Sequence, residues 1–237
     1  EILIPEFNKY DLIINLIHDH SNNIKKNLHI NNLILTKINS HQKLIFFSSS
    51  QVTENNLNKY TLIKKEIEKS IKHKNSNYVI LRPCLMVEEK INKSGLKEQF
   101  LLTLLSILKK YKIAIMLANG KFYLNLVSIF DIFKIIERII NKDTKNETIT
   151  IYNEKSLSFS EIISILRKEF NINIFEVPIP LFVLKIISKI FPKKLSNENI
   201  EALKFEPTKF SDLETRNTDL HFFQDNVSIL KKLFQSL

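Results

Sequence analysis

Apolar positions in this chain fall into two kinds of pattern. Continuous apolar runs lie near 11–17, 43–48 and 78–82, each about the length of a strand and with little polar alternation. Such runs suit strands of a parallel sheet covered on both faces. Elsewhere apolar residues recur at helical spacing, near 22–39, 57–73, 96–110, 128–141, 158–170, 180–191 and 226–235. Strand and helix alternate through residue 82, as βαβ crossovers require. After Pro83 the pattern changes: short strands near 113–117, 122–127 and 148–152 mix with helices. The expected class is α/β, a doubly wound parallel sheet followed by a smaller α+β lobe. The boundary is placed at residue 90, giving parts 1–90 and 91–237, with some elements of the second returning to the sheet.

The longest apolar stretch, 175–191, carries Lys185 and Lys189 four residues apart. It reads as an amphipathic helix starting near Pro180 and ending at Pro192, packed on the lobe. No apolar run is long enough to span a bilayer, so no membrane insertion is expected.

Composition adds little beyond this. At 237 residues and 44% hydrophobic the chain can bury a sizeable core. The formal charge of +10 comes mostly from lysines spread among Asp and Glu, with no arginine-rich run. That argues against nucleic-acid binding. Cys84 is the single cysteine, which excludes an intrachain disulfide and fits a cytoplasmic protein. It reads as a small pocket-lining or core residue at a strand end. Asp131 reads as a helix cap or anchor, and Arg138 and Arg167 as solvated helix faces.

Chemistry concentrates in one segment. The run Leu44-Ile-Phe-Phe-Ser-Ser-Ser50 delivers three hydroxyls to a strand end, and Tyr60 and Lys64 follow four residues apart on the next helix. That spacing puts both side chains on one face. An ammonium near a phenol is expected to lower the phenol's pKa. With a serine hydroxyl beside it, such a tyrosine is suited to pass a proton to or from a substrate oxygen. Strand alternation would point Ser48 and Ser50 the same way.

These residues belong to an ordered set. Asp11-Leu-Ile-Ile-Asn-Leu-Ile17, Asn27 in the next helix, Phe47-Ser-Ser-Ser50, Tyr60-x-x-x-Lys64 with Glu68, and Tyr78-Val-Ile-Leu-Arg-Pro83 follow in order. Asn125-Leu-Val-Ser-Ile-Phe-Asp131 and Ile151-Tyr-Asn153 with Leu157-Ser-Phe-Ser-Glu161 complete it. The set resembles the extended branch of the short-chain dehydrogenase/reductase superfamily, the NAD-dependent epimerases and dehydratases, over roughly residues 9–170.

Two departures stand out. The family opens with a Gly-x-x-Gly-x-x-Gly turn that seats the cofactor pyrophosphate. This chain has only Gly95 and Gly120, neither in such a context, and opens at Glu1 near what resembles the fourth strand. The expectation is the C-terminal portion of a longer protein, a shortened homologue being the alternative. The loop between Ser50 and Tyr60 is also short for the extended branch, which reads as a subtype mark.

The resemblance implies a partial Rossmann-like sheet with a substrate-binding α+β lobe, and an NAD or NADP cofactor. It implies a nucleotide-sugar epimerase or reductase in which Ser50, Tyr60 and Lys64 are catalytic. Asn15, Ile17, Lys64, Pro83 and Leu85 would line the cofactor, and Ser49, Gln51 and Cys84 the substrate. Gln51 stands where dehydratases of the family place an acidic residue, which tilts the reading away from dehydration. A homodimer through the helices at 22–39 and 57–73 is implied. His18 and His20 lack a third ligand at suitable spacing, so no metal site is expected, and they read as loop histidines near the cofactor. The alternative from another class is a non-catalytic, dehydrogenase-like remnant serving in binding or assembly.

Overall fold

The computed structural model describes residues 6–18, 23–52, 58–88, 100–190 and 224–237. His20, Gly95, Pro192 and most of the loop before Tyr60 lie outside them. The described residues fall into two compact units, one of 6–84 and 134–151, the other of 85–133, 152–190 and 224–237.

The first unit is built on a parallel sheet. Its strands are β1 (Leu12–Asn15), β2 (Lys43–Phe47), β3 (Tyr78–Pro83) and β8 (Glu147–Ile151), in spatial order β1-β2-β3-β8. All three pairings are parallel, for example Leu44 opposite Tyr78 and Ile80 opposite Thr148. Helix α1 (Ile24–Lys37) connects β1 to β2, and α2 (Lys59–Lys74) connects β2 to β3. Each begins where an asparagine satisfies orphan amides: Asn23 accepts from Lys26 N, and Asn58 from Thr61 N. All five β2 residues are buried, as a strand covered on both faces requires. Leu44, Phe46 and Ile80 join Ile63, Ile67 and Ile71 of α2 in one apolar core.

The second unit begins with β4 (Leu85–Val87) and α3 (Phe100–Tyr111), then β5 (Ile113–Leu117), β6 (Tyr123–Leu124) and β7 (Leu126–Ser128). Helix α4 (Ile129–Asn141) leads back to β8 of the first unit. There follow β9 (Leu157–Ser158), α5 (Phe159–Phe170), β10 (Phe175–Ile179), α6 (Leu181–Ile190) and α7 (Asn226–Ser236). Three two-stranded pairings hold it: β4 with β7, β5 with β10, and β6 with β9. Its core gathers Leu105, Leu108, Leu126, Phe159, Ile162 and Leu230. Ser158 and Glu161 form a reciprocal capping box at the start of α5. Gly120 sits at φ +72° against the side chains of Met116 and Ser160, so it is a turn and packing glycine.

The apolar stretch at 175–191 divides differently from its periodicity. Its first five residues form β10, paired with β5 from Phe175 opposite Ile113 to Ile179 opposite Leu117, and the helix starts at Leu181. Pro178 is tolerated because β10 is paired on one side only. β4 and β9 were likewise not expected, being two or three residues long. Among the described residues no helix is long and apolar enough to cross a membrane.

Candidate active site

The end of β2 and the first two turns of α2 build the site. β2 stops at Phe47, and from there the three serines diverge. The Ser48 hydroxyl donates to Glu68 Oε1 at 2.5 Å. The Ser49 side chain acts on Tyr60, lowering its phenol's pKa. The Ser50 side chain acts on Cys84, lowering its thiol's pKa. Strand alternation would have paired Ser48 with Ser50. It does not extend past Phe47, and each hydroxyl finds a different partner. Backbone pairing persists: Ser48 N donates to Leu81 O, and Ser50 N to Pro83 O.

Tyr60 and Lys64 share one face of α2, as their spacing requires. Lys64 is only 4% exposed. Its ammonium donates to Phe47 O at 2.8 Å and lies 4.9 Å from the centre of the Phe46 ring and 6.0 Å from that of Tyr60. Burial draws the Lys64 pKa down to about 8, with the Glu68 carboxylate opposing the fall. The Tyr60 phenol is pushed up by burial, and the Ser49 side chain pulls partly back. The expectation that Lys64 depresses the phenol is therefore corrected: burial raises the phenol's pKa, and the ammonium is committed to the Phe47 carbonyl. The ring of His18 meets Tyr60 edge-on at 5.0 Å.

Behind Lys64 lies a network not foreseen as a unit. Arg82 grips Glu68 with two hydrogen bonds, Nε to Oε1 at 2.9 Å and Nη2 to Oε2 at 2.5 Å. Glu68 is 3% exposed. The signal was in the sequence: an acid one turn after Lys64, and an arginine in a lysine-rich chain.

The remaining expected residues divide. Asn15 is buried, and its side chain is engaged: it donates to Asn31 Oδ1 at 2.8 Å and accepts from Ile17 N at 3.0 Å. Asn31 in turn donates to Asn27 O, so an asparagine pair ties the end of β1 to α1. Ile17 is exposed. Gln51 N donates to Ser49 Oγ at 3.2 Å, closing a tight turn after the serines. Pro83 ends β3 opposite Ile151. Burial pushes the Cys84 thiol up to about 12, the Ser50 side chain opposing, so it is no thiolate nucleophile near neutrality. Leu85 belongs to the second unit, where it pairs with Leu126. The structure thus brings Ser49, Tyr60 and Lys64 together, while Ser50 and Cys84 form a separate pair. Among the described residues, no group of three His, Cys, Asp or Glu side chains is arranged to hold a metal.

No protein-family model matches the chain, and no curated protein matches it by sequence. Solved structures match it in three dimensions. A nucleoside-diphosphate-sugar epimerase from Staphylococcus aureus gives a TM-score of 0.65 at 16% identity, over 95% of this chain and 77% of its own. A dTDP-4-dehydrorhamnose reductase from Bacillus anthracis, in complex with NADP, gives 0.63 at 16% identity, over 95% and 79%. ADP-L-glycero-D-manno-heptose-6-epimerase from Helicobacter pylori gives 0.55 at 19% identity, over 73% and 63%. At such identities the likeness is one of fold. The chain has the Rossmann-like α/β fold of NAD-dependent epimerase/dehydratase and short-chain dehydrogenase/reductase-type structures.

Proposed function

We propose that this chain carries the catalytic hydroxyls of an NAD(P)-dependent nucleotide-sugar epimerase or reductase, acting at a sugar carbon that bears oxygen. The observation that supports it most is the cluster of Ser49, Tyr60 and Lys64 at the end of β2, with the Lys64 ammonium seated on Phe47 O. In open α/β sheets ligands bind at the carboxyl ends of the strands.

The residues divide the work as follows. Tyr60 holds the proton that a sugar oxygen gains or gives up; with its pKa above the ordinary value it is a phenol at neutral pH, and so a donor. Ser49 orients that oxygen by a hydrogen bond. Lys64 places a positive charge on the same helix face and would hold the nicotinamide ribose. Asn15, Ile17 and Pro83 would line the cofactor at the strand ends. A bound nicotinamide would supply or accept the hydride at the sugar carbon. The buried ammonium and the phenol on one helix face fit the nicotinamide end of such a cofactor. Ser50, Gln51 and Cys84 are proposed for the substrate side.

The test is binding and turnover by the full chain. NADH and NADPH are titrated by fluorescence, and nucleotide-linked keto sugars are assayed for nicotinamide oxidation. Tyr60→Phe is expected to bind cofactor normally and to lose about 10²–10⁴-fold in turnover. A second reading is a non-catalytic, dehydrogenase-like binding module. Absence of cofactor binding, with no assay distinguishing Tyr60→Phe from wild type, would overturn the enzymatic reading for this one.

A further inference from the structure

The cluster behind the site performs a task beyond holding β3 to α2. We propose that Glu68 is a positioning residue for Lys64: its carboxylate, fixed by Arg82 and Ser48, keeps the buried Lys64 side chain in its ammonium form.

Three observations carry this. Glu68 lies one turn beyond Lys64, so the two share a helix face. The carboxylate has no freedom to turn away, since both oxygens are taken: Oε1 accepts from Ser48 Oγ and Arg82 Nε, and Oε2 from Arg82 Nη2. Lys64 meets no second carboxylate in its described surroundings. Its hydrogen bond goes to the neutral Phe47 carbonyl, and the rings of Phe46 and Tyr60 flank it. A buried lysine with only neutral neighbours loses its proton readily. Of the groups packed around it, α2 supplies Tyr60 and Glu68, β3 supplies Arg82, the serine turn supplies Ser48 and Ser49, and the β1 loop supplies His18 against Tyr60. Glu68 is the one that favours the charged lysine. Arg82 plays a double part, holding Glu68 in place while offsetting some of its field. Removing the acid and removing the arginine should therefore move Lys64 in opposite directions. Loss of packing alone moves it the same way in both, because admitting water to a buried lysine raises its pKa whichever residue was lost.

The enzymatic meaning of this device rests on the function proposed above, but the titration of Lys64 does not. It is read from the side-chain Cε resonance in full-length protein carrying carbon-13 lysine, assigned by its disappearance in Lys64→Arg. In Glu68→Gln the midpoint is expected about one pH unit below wild type, and in Arg82→Gln above wild type. Glu68→Asp, which retains the charge, should lie between wild type and Glu68→Gln. An unmoved or raised midpoint in Glu68→Gln overturns the proposal, as does an unmoved or lowered one in Arg82→Gln. The lowered midpoint is the decisive one, since loss of packing alone would also raise it; should Glu68→Gln misfold, Glu68→Asp decides, a midpoint at or above wild type overturning the proposal. A correct pair of shifts in a protein without cofactor binding would uphold the device and reject the enzyme.

Discussion

Among the described residues, two of the buried polar networks differ in kind, one ionic and one neutral. In the first unit Glu68 and Arg82 join α2 to β3, with Ser48 and Lys64 beside them. In the second unit the work is done by amides. Asn125 and Asn153 bond reciprocally, Asn125 Nδ2 to Asn153 O and Asn153 N to Asn125 Oδ1, both at 2.7 Å. Asn153 Nδ2 reaches Leu126 O at 2.5 Å, Asn226 Oδ1 accepts from Leu126 N at 2.7 Å, and Asn226 Nδ2 donates to Lys155 O. This network pins the first residue of α7 to β7 and to the turn before β9. Both networks satisfy groups that would otherwise be orphaned away from water. They differ in reach. A buried charge acts on every titrating group near it, whereas an amide acts only on what it touches. The ionic network sits beside the groups proposed to move protons, and the amide network lies where only the path of the chain is at stake.

The largest effect should come from breaking the ionic network on one side. Arg82→Met leaves Glu68 buried without its partner and is expected to lower stability by about 3–5 kcal/mol. The double variant Glu68→Met/Arg82→Met should recover most of this, because buried apolar replacements of an ion pair are close to neutral. Urea unfolding of the three proteins checks it. A double variant as unstable as Arg82→Met would mean that geometry, not charge, holds β3 to α2.

Next comes the pH dependence of Lys64. Its folded pKa of about 8 lies below the ordinary 10.5. Between those values the unfolded chain binds a proton that the folded one does not, so stability rises with pH across that window. The contribution is complete above the unfolded value and is lost as pH falls through the folded one. Relative to Lys64→Met, wild type should therefore gain on the order of 3 kcal/mol from about pH 8 to 10.5. Parallel curves for the two proteins would refute it.

The smallest effect belongs to the amides. Asn153→Ala removes the side-chain bond to Leu126 O and is expected to lower stability by about 1–3 kcal/mol. The loss should stay constant across the same pH range, because no member of that network titrates. A loss that varied with pH would blur the contrast between the two regions.

Local signals carried much of this fold. The apolar runs became β1, β2 and β3, and the helical periodicities at 22–39, 57–73 and 158–170 became α1, α2 and α5 within a few residues. Asn23, Asn58 and the Ser158–Glu161 box stop or start elements using neighbours no more than three residues away, which is why sequence alone reveals them. The spacing of Tyr60 and Lys64 sets their shared face for the same reason.

What tertiary structure decided depends on partners far along the chain. Phe175–Ile179 is a strand because Ile113–Leu117 lies beside it, and its apolar composition suits helix and strand alike. The three serines are chemically identical in the sequence. Ser48 is set apart by Glu68, Ser49 by Tyr60 and Ser50 by Cys84, and each partner arrives on an element at least ten residues further on. Burial is likewise a property of the assembled unit. It moves Tyr60 and Lys64 away from their ordinary values, the phenol in the direction opposite to the one that the spacing of ammonium and phenol alone suggests.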